Sequence, residues 1–352
     1  MAYISFQPSD FFSSKIYVGT GSTATVTGVG FQPDIAWIKI IESAYNATMW
    51  DSVRGANNRL FTPTNAANVV DEPDGYVSAF TADGYTVTAG SSSDDYVNNT
   101  SDDYVTWNWK AGTTSGLTGG TITPTAYSIS TTALQSIITY TGNGTAGATI
   151  PHGLGVAPNM IIIKKLSTTG DWWVYNSGMD GSAPEDYHLV LNSTAARVNN
   201  NSEWYDTAPT STLVTLGSGT AADTVTYVAY CFANKKGYSQ FGNYFGNGNA
   251  EGPFVYTGFR PGFILIKNTA TTNGWNLYDS ARSTSNVNNQ LLPPQTSAAQ
   301  STSANWSLDM LSNGFKIRDN NNELNDNAAR MLYAAFSEFP IVSSNNVPVV
   351  AK

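Results

Sequence analysis

Apolar residues in this chain gather in short runs rather than long ones. Three of them, IAWIKI from Ile35, MIIIKK from Met160 and FILIKN from Phe263, are apolar at consecutive positions before a lysine. Uninterrupted runs of this length predict strands covered on both faces. Each follows a proline, and Lys39, Lys164 and Lys267 all stand six residues beyond Pro33, Pro158 and Pro261. A second segment follows each run, MWDSVRG from Met49, WWVYNSG from Trp172 and WNLYDSAR from Trp275, so that Trp50, Tyr175 and Tyr278 correspond, as do Ser52, Ser177 and Ser280. A third segment alternates large and small residues, YVTWNW from Tyr104, YVAYCF from Tyr227 and MLYAAF from Met331, which is the period-two signature of a strand. Helical periodicity is confined to short stretches at residues 65–70 and 325–332.

The three sets are copies of one plan. The copies open at YVGTG (Tyr17), YTGNG (Tyr140) and YFGNG (Tyr244), a domain-sized period too long for a solenoid turn. ADGYTV from Ala82 matches SNGFKI from Ser312, while the second copy has STLVTL from Ser211, without the glycine. The expected fold is all-β, three tandem homologous β-sandwich domains of about 100 residues each, with short terminal extensions. The boundaries read from the repeat are an N-terminal attachment segment at 1–16, repeats at 17–112, 137–236 and 237–340, a Thr/Ser/Gly-rich linker at 113–136 and a C-terminal tail at 341–352.

Composition narrows the partners. Charged residues are only 12% of the 352, and the net charge is -9. A phosphate backbone requires clustered Lys and Arg, so nucleic acid is not an expected partner. The N-terminus has neither a basic nor an apolar signal region, and no run is long enough to span a membrane, so synthesis in the cytoplasm is expected. The single cysteine, Cys231, lies in an apolar run and reads as a buried hydrophobe.

Candidate chemistry is sparse, and neither a cofactor nor a metal is expected. His152 and His188 are the two histidines, neither at metal-ligand spacing. Asp51 with Arg54, and Asp279 with Arg282, read as exposed local ion pairs of about 0–1 kcal/mol. Asp51, Asp83 and Asp279 are the carboxylates a glycoside hydrolase would have to bring together. The acidic segments 91–103 and 319–327 lack the residue order of a calcium loop and read as solvated. Nine tryptophans and nineteen tyrosines exceed the needs of three small cores, which places some at interfaces. Trp204, Tyr205 and Asp206, in a polar stretch, are the candidate contact with a glycan or other surface.

Six stretches, YISFQPSDFF, YTGNGT with IPHGLG, SEWYDTAPTS, YVAYCFA, GPFVYTGFRP and LSNGFKIR, resemble virion structural proteins of marine tailed bacteriophages of the cyanophage type, tail or tail-fibre-like. The resemblance implies a non-enzymatic component of the phage particle, made in the host cytoplasm without a signal peptide and working outside the cell. It implies docking to other virion proteins of tail or head and adhesion to a host surface glycan. A capsid decoration or cement protein, and a carbohydrate-binding or glycan-depolymerising protein, are the alternatives. A homotrimer is the expected assembly, unless the three units of one chain supply threefold quasi-symmetry themselves.

Overall fold

The computed structural model describes residues 6–70, 73–93 and 96–339. Strand accounts for 39% and helix for 3%, so the chain is all-β. Unit 1 contributes β1 (Phe12–Val18), β2 (Ala24–Val26), β3 (Ile35–Ile40), β4 (Thr48–Asp51), β5 (Leu60–Phe61), β6 (Tyr76–Thr81), β7 (Gly84–Thr88) and β8 (Asp103–Trp109). They form one sheet in the order β1-β8-β3-β4-β5 and a smaller one, β2-β7-β6. Unit 2 contributes β9 (Ala126–Ser130), β10 (Gln135–Thr141), β11 (Thr149–Pro151), β12 (Met160–Lys165), β13 (Trp172–Asn176), β14 (Tyr187–Val190), β15 (Val198–Asn199), β16 (Leu213–Thr215) and β17 (Thr226–Phe232). Its sheets run β15-β14-β13-β12-β17-β10-β9 and β11-β16. Unit 3 contributes β18 (Ser239–Phe245), β19 (Phe254–Tyr256), β20 (Phe263–Asn268), β21 (Trp275–Asp279), β22 (Gln290–Leu291), β23 (Ser301–Thr302), β24 (Leu308–Leu311), β25 (Gly314–Ile317) and β26 (Arg330–Phe336), with one helical turn, α1 (Asn322–Asn325). Its sheets run β18-β26-β20-β21, β19-β25-β24 and β22-β23.

Register makes the repetition literal. Ile35, Met160 and Phe263 pair with Asp51, Asn176 and Asp279 on one side and with Trp109, Phe232 and Phe336 on the other. The opening tyrosines are equivalent too: Tyr17, Tyr140 and Tyr244 donate their hydroxyls to the carbonyls of Val97, Thr220 and Leu324 at 2.7, 2.8 and 2.7 Å. The glycine two residues on is required by close approach, because a Cβ on Gly19, Gly142 or Gly246 would lie 2.0–2.1 Å from a carbonyl oxygen of the facing loop. Gly84 and Gly314 are needed likewise, a Cβ on either lying 2.0 Å from the carbonyl oxygen of Val26 or Val255. In unit 2, Leu213 pairs with Pro151 and the small sheet has only β11 and β16, so the hairpin that demands this glycine is absent.

Alternation along the central strands explains their uninterrupted apolar runs. Ala36 and Ile38, Ile161 and Ile163, and Ile264 and Ile266 face a core made by their own unit. The intervening Ile35 and Trp37, Met160 and Ile162, and Phe263 and Leu265 face a fourth core common to all three units. At its centre Phe336 packs within 5.4–5.9 Å, ring centre to ring centre, of Phe12, Trp109, Phe232, Tyr238, Phe241 and Phe263. An apolar void of about 30 Å³ remains there, lined by residues of all three units. The aromatic surplus is thereby placed, since seven of the nine tryptophans are buried and Trp37, Trp107, Trp109, Trp172 and Trp275 belong to this shared core.

The structure corrects several expected boundaries. Residues 12–16 are not an extension but the start of β1, paired with β8 from Phe12↔Trp109 onward. The expected linker 113–136 contains β9, which adds to the unit 2 sheet through Ile129 and Ser128, and buries Ile122 and Ala133. The helical turn is at Asn322–Asn325, and residues 330–336 are strand. Residues 1–5 of the expected attachment segment and the whole tail at 341–352 lie outside the described residues.

Candidate functional site

The repeated lysines form the most conspicuous polar constellation. Lys39, Lys164 and Lys267 are buried at the ends of their strands, each ringed by carbonyls. Lys39 Nζ donates to Ser43 and Tyr45 at 3.1 and 2.7 Å, and Lys267 Nζ to Asn268 and Asn273 at 2.8 and 2.7 Å. Each also reaches into another unit: Lys164 to the Asn65 carbonyl of unit 1 at 3.3 Å, Lys267 to Thr194 of unit 2 at 3.2 Å, and Lys39 to Ser297 of unit 3 at 3.2 Å. Three residues further along each receiving segment, the backbone N–H of Asn68, Arg197 and Gln300 donates to Leu166, Thr269 and Ile41 at 2.9, 3.0 and 2.8 Å. Residues 65–68, 194–197 and 297–300 are therefore equivalent straps, each laid over the lysine strand of the next unit. Unit 1 grips unit 2, unit 2 grips unit 3, and unit 3 grips unit 1. Indole contacts follow the same circuit, Trp172 Nε1 donating to Phe61 at 3.0 Å and Trp275 Nε1 to Val190 at 2.9 Å. Burial pulls all three ammonium groups down to about 8, and the three residues are at most 2% exposed.

The aspartate–arginine pairs depart from the expectation of exposed ion pairs. Arg54 Nε lies 2.6 Å from Asp51 Oδ2 and Arg282 Nε 2.6 Å from Asp279 Oδ2, with every side chain at most 3% exposed. Each carboxylate takes a further bond from another unit, Tyr230 Oη to Asp51 Oδ2 at 2.7 Å and Trp107 Nε1 to Asp279 Oδ2 at 3.1 Å. Unit 2 has Asn176 and Met179 where the others have Asp and Arg, and Ala334 stands in the strand position of Tyr230 and Trp107. Asp83 is elsewhere, exposed, its carboxylate accepting the N–H of Gly28 and Gly30 at 2.9 and 2.7 Å, which lowers its pKa. Asp51, Asp83 and Asp279 thus each serve a different unit or turn.

Trp204 is corrected as a surface contact. It is 1% exposed, its ring edge-on to Tyr175 at 5.8 Å inside the core of unit 2. Tyr205 and Asp206 are exposed, Tyr205 46% so, with its ring against Gly147. His152 is buried, Nε2 meeting the Thr210 carbonyl at 3.1 Å, and burial lowers its pKa. His188 Nδ1 lies 3.0 Å from Glu203 Oε2, both buried, without hydrogen-bond geometry between them. Burial pushes the Cys231 thiol up to about 12. Among the described residues no three His, Cys, Asp or Glu side chains converge as a metal site, and no helix is long and apolar enough to cross a membrane.

Between units 1 and 2 lies an open cleft of about 420 Å³, lined by Val53, Asn58, Asn68, Thr139, Leu166 and Ser167 among others. Among the described residues the exposed large aromatics are Tyr205, Phe245, Phe254 and Tyr256. Local pattern does not single out the last two; their signal is comparative, since the corresponding residues of the other copies are not aromatic.

No curated protein and no solved structure matches the chain. A protein-family match covers residues 7–340, so all three units and the junctions between them fall within one family unit. The chain belongs to the family described as Domain of unknown function (DUF7483).

Proposed function

We propose that the protein is a non-enzymatic structural component of a tailed-phage particle, three β-sandwich units acting as a tail fibre or tail-associated adhesion protein that docks to the virion and contacts the host surface. The observation that carries this reading is where the polar residues are spent. The three lysines, the two aspartate–arginine pairs and their Tyr230 and Trp107 partners all join one unit to another. Such a chain is built for shape, with recognition left to its exposed loops and outer faces. The sequence resemblance to marine phage tail proteins supplies the particle.

The circuit of straps favours one chain as its own threefold body over the homotrimer expected from sequence. Mass measurement of the purified protein at micromolar concentration tests this, a trimer counting against it. Labelling the protein on intact virions tests the location. Label on the tail, with antibody that blocks adsorption to cells, supports the reading; absence from the particle refutes it. A head decoration protein is the second reading, since a body with internal threefold order matches a local threefold position of a capsid lattice, and hundreds of copies per particle would establish it.

A further inference from the structure

We propose that the outer face of the β19-β25-β24 sheet in unit 3 binds a neutral saccharide, through the exposed rings of Phe254 and Tyr256 and the charged side chains beside them. The inference rests on the adhesion reading above and names the chemical class that unit 3 would grip.

Alternation along β19 turns Val255 into the core of unit 3 and Phe254 and Tyr256 outward, where they are 45% and 68% exposed. Two residues apart on one strand face, the rings project about 7 Å from each other. Pairing across the sheet makes two rows, Phe254–Lys316–Asp309 and Tyr256–Gly314–Leu311. Gly314 has no side chain, so the middle of the second row is open to its backbone, and the Phe254 ring leans over it, with Cζ 3.1 Å from the place a Cβ would take. The result is an exposed apolar strip, with the Phe254 ring lying over the glycine and Tyr256 beside it.

Beside it stand donors and acceptors of both signs. Arg318 Nε lies 2.6 Å from Asp309 Oδ2, and Lys316 Nζ and Arg318 Nη1 lie 3.3 and 3.5 Å from Glu251 Oε2. Asp309 itself is 5% exposed and holds Arg318, while the heads open to a hydroxyl-bearing ligand are those of Lys316, Arg318 and Glu251, 23%, 36% and 74% exposed. Two acids and two bases leave the patch balanced, which suits a neutral polyol; a polyanion would meet Glu251 and Asp309, and a polycation Lys316 and Arg318. Sugar rings present apolar C–H faces to aromatic rings while their hydroxyls reach the polar flank.

The other two units provide the control. Register puts Thr25 and Thr149 at the position of Phe254, and Thr27 and Pro151 at that of Tyr256. The scaffold is therefore built without aromatics at these positions, and folding does not account for two exposed rings in unit 3 alone.

The test uses the full chain on an array of neutral, amino and acidic glycans, comparing it with the double variant Phe254→Thr/Tyr256→Thr, whose new residues are those that unit 1 carries at the same two positions. The expected result is binding to neutral glycans that falls about tenfold or more in the variant, with an unchanged melting temperature. Binding retained within twofold by the variant, binding to charged glycans alone, or no glycan binding by the wild type would overturn the proposal. Adhesion to host cells is measured in parallel. Wild-type protein that holds equally well to cells stripped of polysaccharide overturns the saccharide proposal and leaves adhesion standing, whereas failure to hold intact cells removes the adhesion reading itself.

Discussion

The shared central core makes a quantitative claim about cooperativity that Phe336→Ala can test. Phe336 is 3% exposed and touches six other rings drawn from all three units. Truncating a buried phenylalanine costs about 3–5 kcal/mol, and the cost lies toward the upper end where neighbours cannot collapse into the gap. Here three backed sheets hold those neighbours in place, and the gap would merge with the existing void of about 30 Å³. The loss should be about 4–5 kcal/mol.

How that loss appears in a calorimetric scan depends on what unfolds together. If the three units melt as one body, the denaturation entropy is large, and each kcal/mol lowers Tm by about 2 °C or less. A single peak should then move down by at most roughly 8–10 °C, keeping its whole area. Independent units of about 100 residues would respond differently, at about 4–8 °C per kcal/mol. A scan in which about a third of the heat moves down by roughly 20 °C or more, while the rest stays, would refute the common core as an energetic unit.

Other outcomes follow from the same contacts. Burial holds Lys39, Lys164 and Lys267 at about 8 against an ordinary 10.5, so the folded chain releases these protons before the unfolded one does, and stability should climb as pH rises from about 8 toward 10. Above 10 the buried tyrosines, whose pKa values are raised by burial, oppose the trend as the unfolded chain ionises first. Denaturant melts at pH 7, 8, 9 and 10 measure it, and a flat profile would mean that the carbonyl rings hold the ammonium form as well as water does. Tyr230→Phe should cost about 1.5–3 kcal/mol in the same melts, the worth of a hydrogen bond to a buried charge, since Asp51 loses one of its donors; a change under about 0.5 kcal/mol would contradict the bond. Trp204→Ala should cost about 3–5 kcal/mol of stability, as a buried indole does, and an unchanged Tm would return that residue to the surface.

Strand identity, the repeat and the equivalence of the lysines were legible because they depend on local pattern and on spacing from a proline. The purpose of the lysines was not. Their partners are backbone carbonyls in loops of differing length and sequence, so Asn65, Thr194 and Ser297 share no side-chain signature. IAWI and MIII announced burial on both faces, yet apolar runs do not say whether the second cover comes from the same unit or from two others. Trp204 misled for the opposite reason. Its neighbours are polar and its loop is exposed, while the ring itself turns back onto Tyr175. The linker misled by composition, since Thr, Ser and Gly build an edge strand as readily as a tether when Ile129 and Ile122 provide the anchor.

Departures from threefold equivalence follow a physical rule. At two junctions a buried aspartate is held by an arginine of its own unit and by a tyrosine or tryptophan of another; at the third, Asn176, Met179 and Ala334 replace all three partners together. Partial loss would have left a charge buried without compensation, which costs more than the pair contributes, so such a trio persists or vanishes whole. The motif Asp-Ser-x-Arg in one unit therefore calls for an aromatic donor two residues before the end of another unit's closing strand, and Asn-Ser-Gly-Met releases that position to Ala334. The outer faces answer to no such constraint. Thr25 and Thr149 are free to become Phe254 without disturbing either core, and so the chain keeps its junctions nearly uniform while one unit alone acquires a surface of its own.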